Sequence, residues 1–258
     1  AHGYLSVTQD VRGRFESEGK FRPGFSEVED GADTIAWLAR HPACNGDVGM
    51  YGASYQTWTQ FAAAAASPPG LKCLIPFCMG TDYFRDVVYP GGCFNLGPTV
   101  RWIVYDVWRR SEPDPRVVEE IEKMDFIRFL ATLPWKRGET LLAKAGSLEG
   151  DVFDFLEHRT YDDHWKHPAL AFEANFPRYP DIPLLWVSGW YDGYPRCFCH
   201  AYGLMKKLGR GANQHLLLGP WMHGQLGGNV CGDADFGPLA HIPELDTQRV
   251  FFDRHLQH

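Results

Sequence analysis

Three side chains in this sequence have the chemistry of a nucleophile, its base and an orienting acid. They are Ser54 in "GMYGASYQTW", Asp192 in "LLWVSGWYDG" and His223 in "HLLLGPWMHG". A serine hydroxyl is a weak nucleophile at neutral pH. It becomes reactive when a base stands within hydrogen-bond reach, an acid orients that base, and donors receive the oxyanion that develops. Each of the three follows a short apolar run, and they occur in the order Ser, Asp, His. The chemistry this predicts is acyl transfer: attack on an ester or amide carbonyl, a covalent acyl intermediate, and release by water. It calls for no metal or organic cofactor.

The residues around Ser54 fit a tight strand-to-helix turn on the upstream side, where Gly52 and Ala53 are small. Downstream, the G-x-S-x-G pattern asks for glycine at position 56, and the sequence has Gln56. Other candidates have a poorer setting. His215 falls inside or before its apolar run, and His200 and His241 follow no strand-like segment. The neighbouring acids Asp162 and Asp163 suit a helix N-terminus better than a carboxylate pair, since adjacent side chains point apart. Seven cysteines without regular spacing do not make a disulfide framework. The cluster Cys197, Cys199, His200 and Cys231 fits no common zinc spacing and reads as structural thiols.

These groups need a scaffold, and the 258 residues, 45% of them apolar, suffice for a large core. A formal net charge of -7 argues against nucleic acid or an anionic membrane as the main partner. No apolar run approaches the ~18 residues of a membrane-spanning helix. The expected partner is a small-molecule ester or amide substrate.

Apolar runs at "VGMYGAS", "KCLIPFC", "PLLWVSG" and "QHLLLG" alternate with helical patterns. Strands without polar alternation, separated by helices, predict an α/β fold with a mostly parallel sheet covered on both faces. Ligands bind such sheets at the C-terminal strand ends, where the three candidates fall. Ser26-Glu27-Val28-Glu29 reads as a capping box opening a helix that stops before Pro42. "GYLSVTQD" reads as a further β-rich run. Residues 83–170 hold no convincing strand but several amphipathic stretches, around Thr99–Arg110, Pro115–Leu130 and Leu148–His158. They read as a helical insertion between the two halves of the sheet domain, 1–82 and 171–258.

The segments "QDVRGRFESEGKF", "GMYGASY", "SGWYDG", "GPWMHG" and "FFDRHL", with "GTDYFRD" and "YPGG", resemble the signature blocks of one α/β-hydrolase branch. That branch holds the cocaine esterase, α-amino acid ester hydrolase and X-prolyl dipeptidyl-peptidase enzymes, and the match runs nearly end to end. The resemblance implies Ser54 as nucleophile, His223 as general base and acid, and Asp192 as the group that fixes the imidazole tautomer. It also implies the Tyr55 backbone N–H as an oxyanion donor, the insertion as a cap, and Trp102 and Tyr194 as acyl-pocket residues. Asp10 and Arg12 match a family loop and are expected to form a structural ion pair.

The sequence departs from that pattern in two places. Relatives carry earlier strands, one followed by a loop whose tyrosine is the second oxyanion donor, and continue into a jelly-roll domain. The 258 residues are therefore expected to be a piece of a longer protein. In the strand order 1-2-4-3-5, the Gly3–Asp10 run would be the fourth strand and the Gly49 strand the fifth, with the missing third lying between them. The run would either pair Leu5–Gln9 with Val48–Tyr51 or leave ladder groups open, at ~1–3 kcal/mol for each one buried. Loss of one oxyanion donor typically costs ~10²–10³ in turnover. Three alternatives stay open: release of X-proline dipeptides, acyl transfer to an amine or alcohol on the same triad, and a non-catalytic binding protein on a hydrolase-like fold.

Overall fold

Four apolar runs form one parallel sheet in the computed structural model, which describes residues 3–257. The strands are β1 (Val48–Ala53), β2 (Leu71–Phe77), β3 (Leu184–Gly189) and β4 (Gln214–Gly219), in the spatial order β1-β2-β3-β4. The register aligns Ala53 with Phe77, Phe77 with Val187, and Gly189 with Gly219. All four strands therefore end along one rim.

Side-chain alternation builds a core on each face of the sheet. On one face Cys73, Ile75, Phe77, Leu185 and Val187 pack with Trp221 and with Phe251 and Leu256 of the Glu244–Leu256 helix. On the other, Trp186 meets Phe61 at 5.6 Å and Phe198 at 5.3 Å between ring centroids. Its indole N–H donates to Gln214 Oε1 at 2.8 Å, which satisfies the one polar atom it buries. Burial of each such aromatic contributes about 1.5–3 kcal/mol. Two helices flank the turn of interest, α1 (Glu27–Ala39) and α2 (Tyr55–Ala65). The alanine run makes α2 a strong helix former that can sit close to its neighbours. A Cβ on Gly31 of α1 would lie 2.7 Å from the Ala63 Cβ of α2.

The chain divides into two compact units. One comprises the N-terminal segment through Gln9, Gly24–Tyr83, and everything from His167 onward; the other comprises Asp10–Pro23 and Phe84–Lys166. The second is helical: Leu96–Arg101 runs through the π-helical Trp102–Trp108 into Arg109–Ser111, and Pro115–Lys123, Phe126–Leu130 and Ser147–Glu157 follow. Within it, the Arg14 guanidinium donates to the Val107 carbonyl at 2.7 Å and to Ser111 Oγ at 2.8 Å, fastening the Asp10–Pro23 loop to the helical stretch. Trp165 is buried against Phe84 and Phe155.

The structure corrects four expectations. Gly3–Asp10 forms no strand, and Leu5 and Val7 are about half exposed. A β-rich segment becomes a strand only where a ladder accepts it. Here Tyr4 Oη donates to Asp253 Oδ1 at 2.6 Å, and Thr34 Oγ1 donates to Gln9 Oε1 at 2.8 Å, so both ends are held by helices. β1 is accordingly an edge strand among the described residues. The capping box does not form: Ser26 makes no side-chain cap, and its amide donates to Glu27 Oε2 at 3.1 Å instead of to Glu29. No ion pair joins Asp10 to Arg12 among the described residues; the Asp10 carbonyl accepts the Ser17 hydroxyl. Asp162 opens no helix. It pairs with His158 Nδ1 at 2.7 Å and accepts the His164 amide at 3.1 Å.

Candidate functional site

Ser54 sits between β1 and α2 with φ 57° and ψ -120°, a left-handed conformation that L-residues seldom adopt. Its amide donates to the Phe77 carbonyl at 3.0 Å, while its own carbonyl accepts Thr57 N–H and Trp58 N–H to start α2. The buried Thr57 stitches the turn to β2. Its hydroxyl accepts Phe77 N–H at 2.7 Å and lies 2.7 Å from the Gly52 and Phe77 carbonyls.

Gln56, where the motif asks for glycine, has a legible task. Its Oε1 accepts the Ala53 amide at 3.2 Å, on the flank of β1 that faces away from β2. Gly52 makes room for it. Its φ is +138°, and a Cβ there would lie 2.5 Å from Gln56 Oε1. Tyr55 is anchored through its hydroxyl, which donates to Glu27 Oε1 and accepts Gly24 N–H at 3.0 Å. Burial, then the Glu27 carboxylate, pushes the Tyr55 phenol well above its ordinary range, and burial likewise raises Glu27.

The ends of β3 and β4 are zipped together. Trp190 N–H donates to Gly219 O at 2.8 Å, and Tyr191 N–H donates to Trp221 O at 3.0 Å. Two glycines permit this approach. A Cβ on Gly189 would lie 2.0 Å from Trp221 O, and one on Gly219 would lie 2.4 Å from the Trp221 indole. The result brings two predicted residues together: His223 Nδ1 is 2.8 Å from Asp192 Oδ2. The Asp192 side chain is 1% exposed and that of His223 46%, so the pair runs from the interior to the surface. Nδ1 donating to the carboxylate leaves Nε2 as the basic nitrogen.

Burial pushes the Asp192 carboxyl up, but the hydrogen bonds and charge of His223, a thiol donor from Cys78 and the Tyr194 amide outweigh it. The carboxyl is held below its usual range. Tyr194 N–H reaches Asp192 Oδ1 at 3.1 Å, and the Tyr194 ring meets the imidazole edge-on at 5.9 Å. The structure does not hydrogen-bond the Ser54 hydroxyl to His223 or to any other described residue. Such contacts are often long before substrate binds. Trp102, half-buried, belongs to the helical unit at the start of its π-helical stretch.

Cys78, Asp192 and His223 hold their donor atoms within 4.8 Å of one another, the only such cluster with metal-ligand chemistry among the described residues. The sequence reading missed Cys78, although it follows β2 at the same rim as the other three. It also missed Trp221 and the Glu27–Tyr55 pair, which no spacing rule indicates. Cys197, Cys199, His200 and Cys231 do not converge; His200 instead faces Glu173 at 3.6 Å.

The chain is similar to known proteins along nearly its whole length. It is 33% identical to the cocaine esterase of Rhodococcus sp. (strain MB1 Bresler) over 99% of the chain and 45% of that enzyme. It thus spans less than half the length of the curated relatives it matches. Its fold matches an aminopeptidase of a Thaumarchaeota archaeon from marine sediment (TM-score 0.72, 23% identity, 96% of this chain and 43% of that one). It matches an α-amino acid ester hydrolase equally well (TM-score 0.71, 24% identity, 96% and 42%). These likenesses establish an α/β-hydrolase fold. With residues 1–225 matching the family model described as X-Pro dipeptidyl-peptidase (S15 family), the chain belongs to that family.

Proposed function

We propose that this chain carries the catalytic centre of a serine hydrolase that cleaves carboxylic esters or amides. Ser54 Oγ attacks the substrate carbonyl, and His223 Nε2 takes the serine proton and returns it to the leaving group. Water then releases the acid by the same route. Asp192 holds the imidazole in the tautomer this needs and stabilises its charge. The Tyr55 backbone N–H receives the oxyanion, one residue past the nucleophile and at the start of α2.

The observation that supports this most directly is the His223–Asp192 contact of 2.8 Å, on the rim where Ser54 occupies its strained turn. Similarity to a cocaine esterase favours small-molecule esters as substrates. The family resemblance gives Trp102 and Tyr194 as candidate residues for recognising the acyl group.

A fluorophosphonate probe tests the chemistry. It is expected to label wild-type protein at Ser54, and labelling should vanish in Ser54→Ala and His223→Ala. A wild-type protein that takes no label would overturn the reading. A panel of aryl esters set against alanyl-proline anilides separates esterase from X-prolyl peptidase action; the ester panel is expected to be the faster.

A further inference from the structure

Cys78 is the buried group at this rim for which the proposed chemistry has no use. It is wholly buried, directly follows β2, and has φ 46°, one of four non-glycine residues with positive φ among those described. Its amide donates to Val187 O at 3.1 Å and continues the β2–β3 ladder into the turn. A β-carbon in that conformation costs on the order of 1 kcal/mol. The fold accepts the strain at a position that carries the Cys78 side chain to the Asp192 carboxylate.

The thiol, the carboxylate and the imidazole lie within 4.8 Å of one another, and Ser188, wholly buried on β3, stands beside the thiol. A metal centre does not suit this trio. A metal takes the thiolate, whereas burial, then the Asp192 charge, keeps this thiol protonated. Asp192 Oδ2 and His223 Nδ1 are already engaged with each other at 2.8 Å. The acceptor charge nearest to the S–H is the Asp192 carboxylate, within 4.8 Å, towards which a thiol is a weak donor. Tyr194 N–H takes Oδ1 and His223 takes Oδ2, and the thiol stands near the same carboxylate at the end of β2.

We infer that Cys78 is a positioning residue, whose thiol, delivered from the end of β2, holds the Asp192 carboxylate in line with His223. The inference rests on the serine hydrolase reading and deepens it. Cys78→Ala removes the donor, and Cys78→Ser replaces it with a hydroxyl. Cys78→Ala is expected to lower kcat by about 3–10-fold with KM unchanged, the size of one weak donor. Cys78→Ser should stay within about twofold of wild type. The downfield proton resonance of His223 Nδ1–H should move in Cys78→Ala and return in Cys78→Ser.

Cys78→Gly, whose backbone suits the positive φ, repeats the deletion should the alanine variant fail to fold. The inference is overturned if the deletion leaves kcat and the resonance unchanged, or if Cys78→Ser is as impaired as the deletion. Ser54→Ala run in parallel keeps the two readings apart. Full activity there would sink the serine mechanism, while the proton resonance would still decide the link from Cys78 to Asp192.

Discussion

Asp192 accepts from the Tyr194 amide and pairs with His223 Nδ1, and its replacement has two separable consequences. Asp192→Asn keeps the size of the side chain but favours the wrong imidazole tautomer, and kcat is expected to fall by ~10⁴. The second consequence is in stability. The folded-state pKa of Asp192 lies below its ordinary value, so its contribution is present above the unfolded pKa of ~3.9 and is lost as pH falls through the folded value. Urea unfolding of wild type and Asp192→Asn should therefore differ at neutral pH and converge below about pH 4. A constant gap between the two curves down to acid pH would contradict this.

Among the elements, the β3 and β4 termini set the geometry of the Asp192–His223 pair, and they do so through an absent side chain. The Trp221 carbonyl occupies the space of a Cβ on Gly189, and backbone cannot step aside as a flexible side chain would. Gly189→Ala is thus expected to push the Trp221–His223 loop away from Asp192 while leaving the helices intact. A shift of about 1 Å can cost ~10² in turnover. The check is kcat/KM beside far-UV circular dichroism; a loss under threefold would show that the loop yields.

The same elements show what was legible in the sequence and what was not. Apolar runs betray strands, so the rim positions of Ser54, Asp192 and His223 could be read from "GAS", "YDG" and "MHG". The closeness of Gly189 to Trp221 is a through-space fact across 32 residues, and no periodicity encodes it. Cys78 escaped because one cysteine after an apolar run reads as core. The Gly3–Asp10 run misled because β-propensity reports fitness for a pleated surface and not the presence of a partner. Gln56 reads as a departure from the motif until the orphan amide of Ala53 is seen.

At the scale of the whole molecule, β1 leaves one flank without a ladder partner among the described residues, and Tyr51 on it is 52% exposed. An open edge is a template for pairing with another copy. Net charge of -7 opposes that at neutral pH, and the opposition fades towards the isoelectric point near 5.9. Light scattering should therefore show concentration-dependent association that rises as pH approaches 5.9 and weakens in Tyr51→Lys. Equal association of both proteins would place the contact elsewhere.

The end of β2 has a mechanical consequence. Phe77 receives the Ser54 amide on its carbonyl and gives its own N–H to Thr57, so the serine turn is moored to this residue. The next residue, Cys78, brings its thiol within 4.8 Å of the Asp192 carboxylate. Two adjacent residues thus serve as a common bearing for the proposed nucleophile Ser54 and the proposed acid Asp192, which lie 138 residues apart in the chain. A small tilt of this strand tip would misalign both partners together, and reactivity would register the disturbance well before the fold came undone.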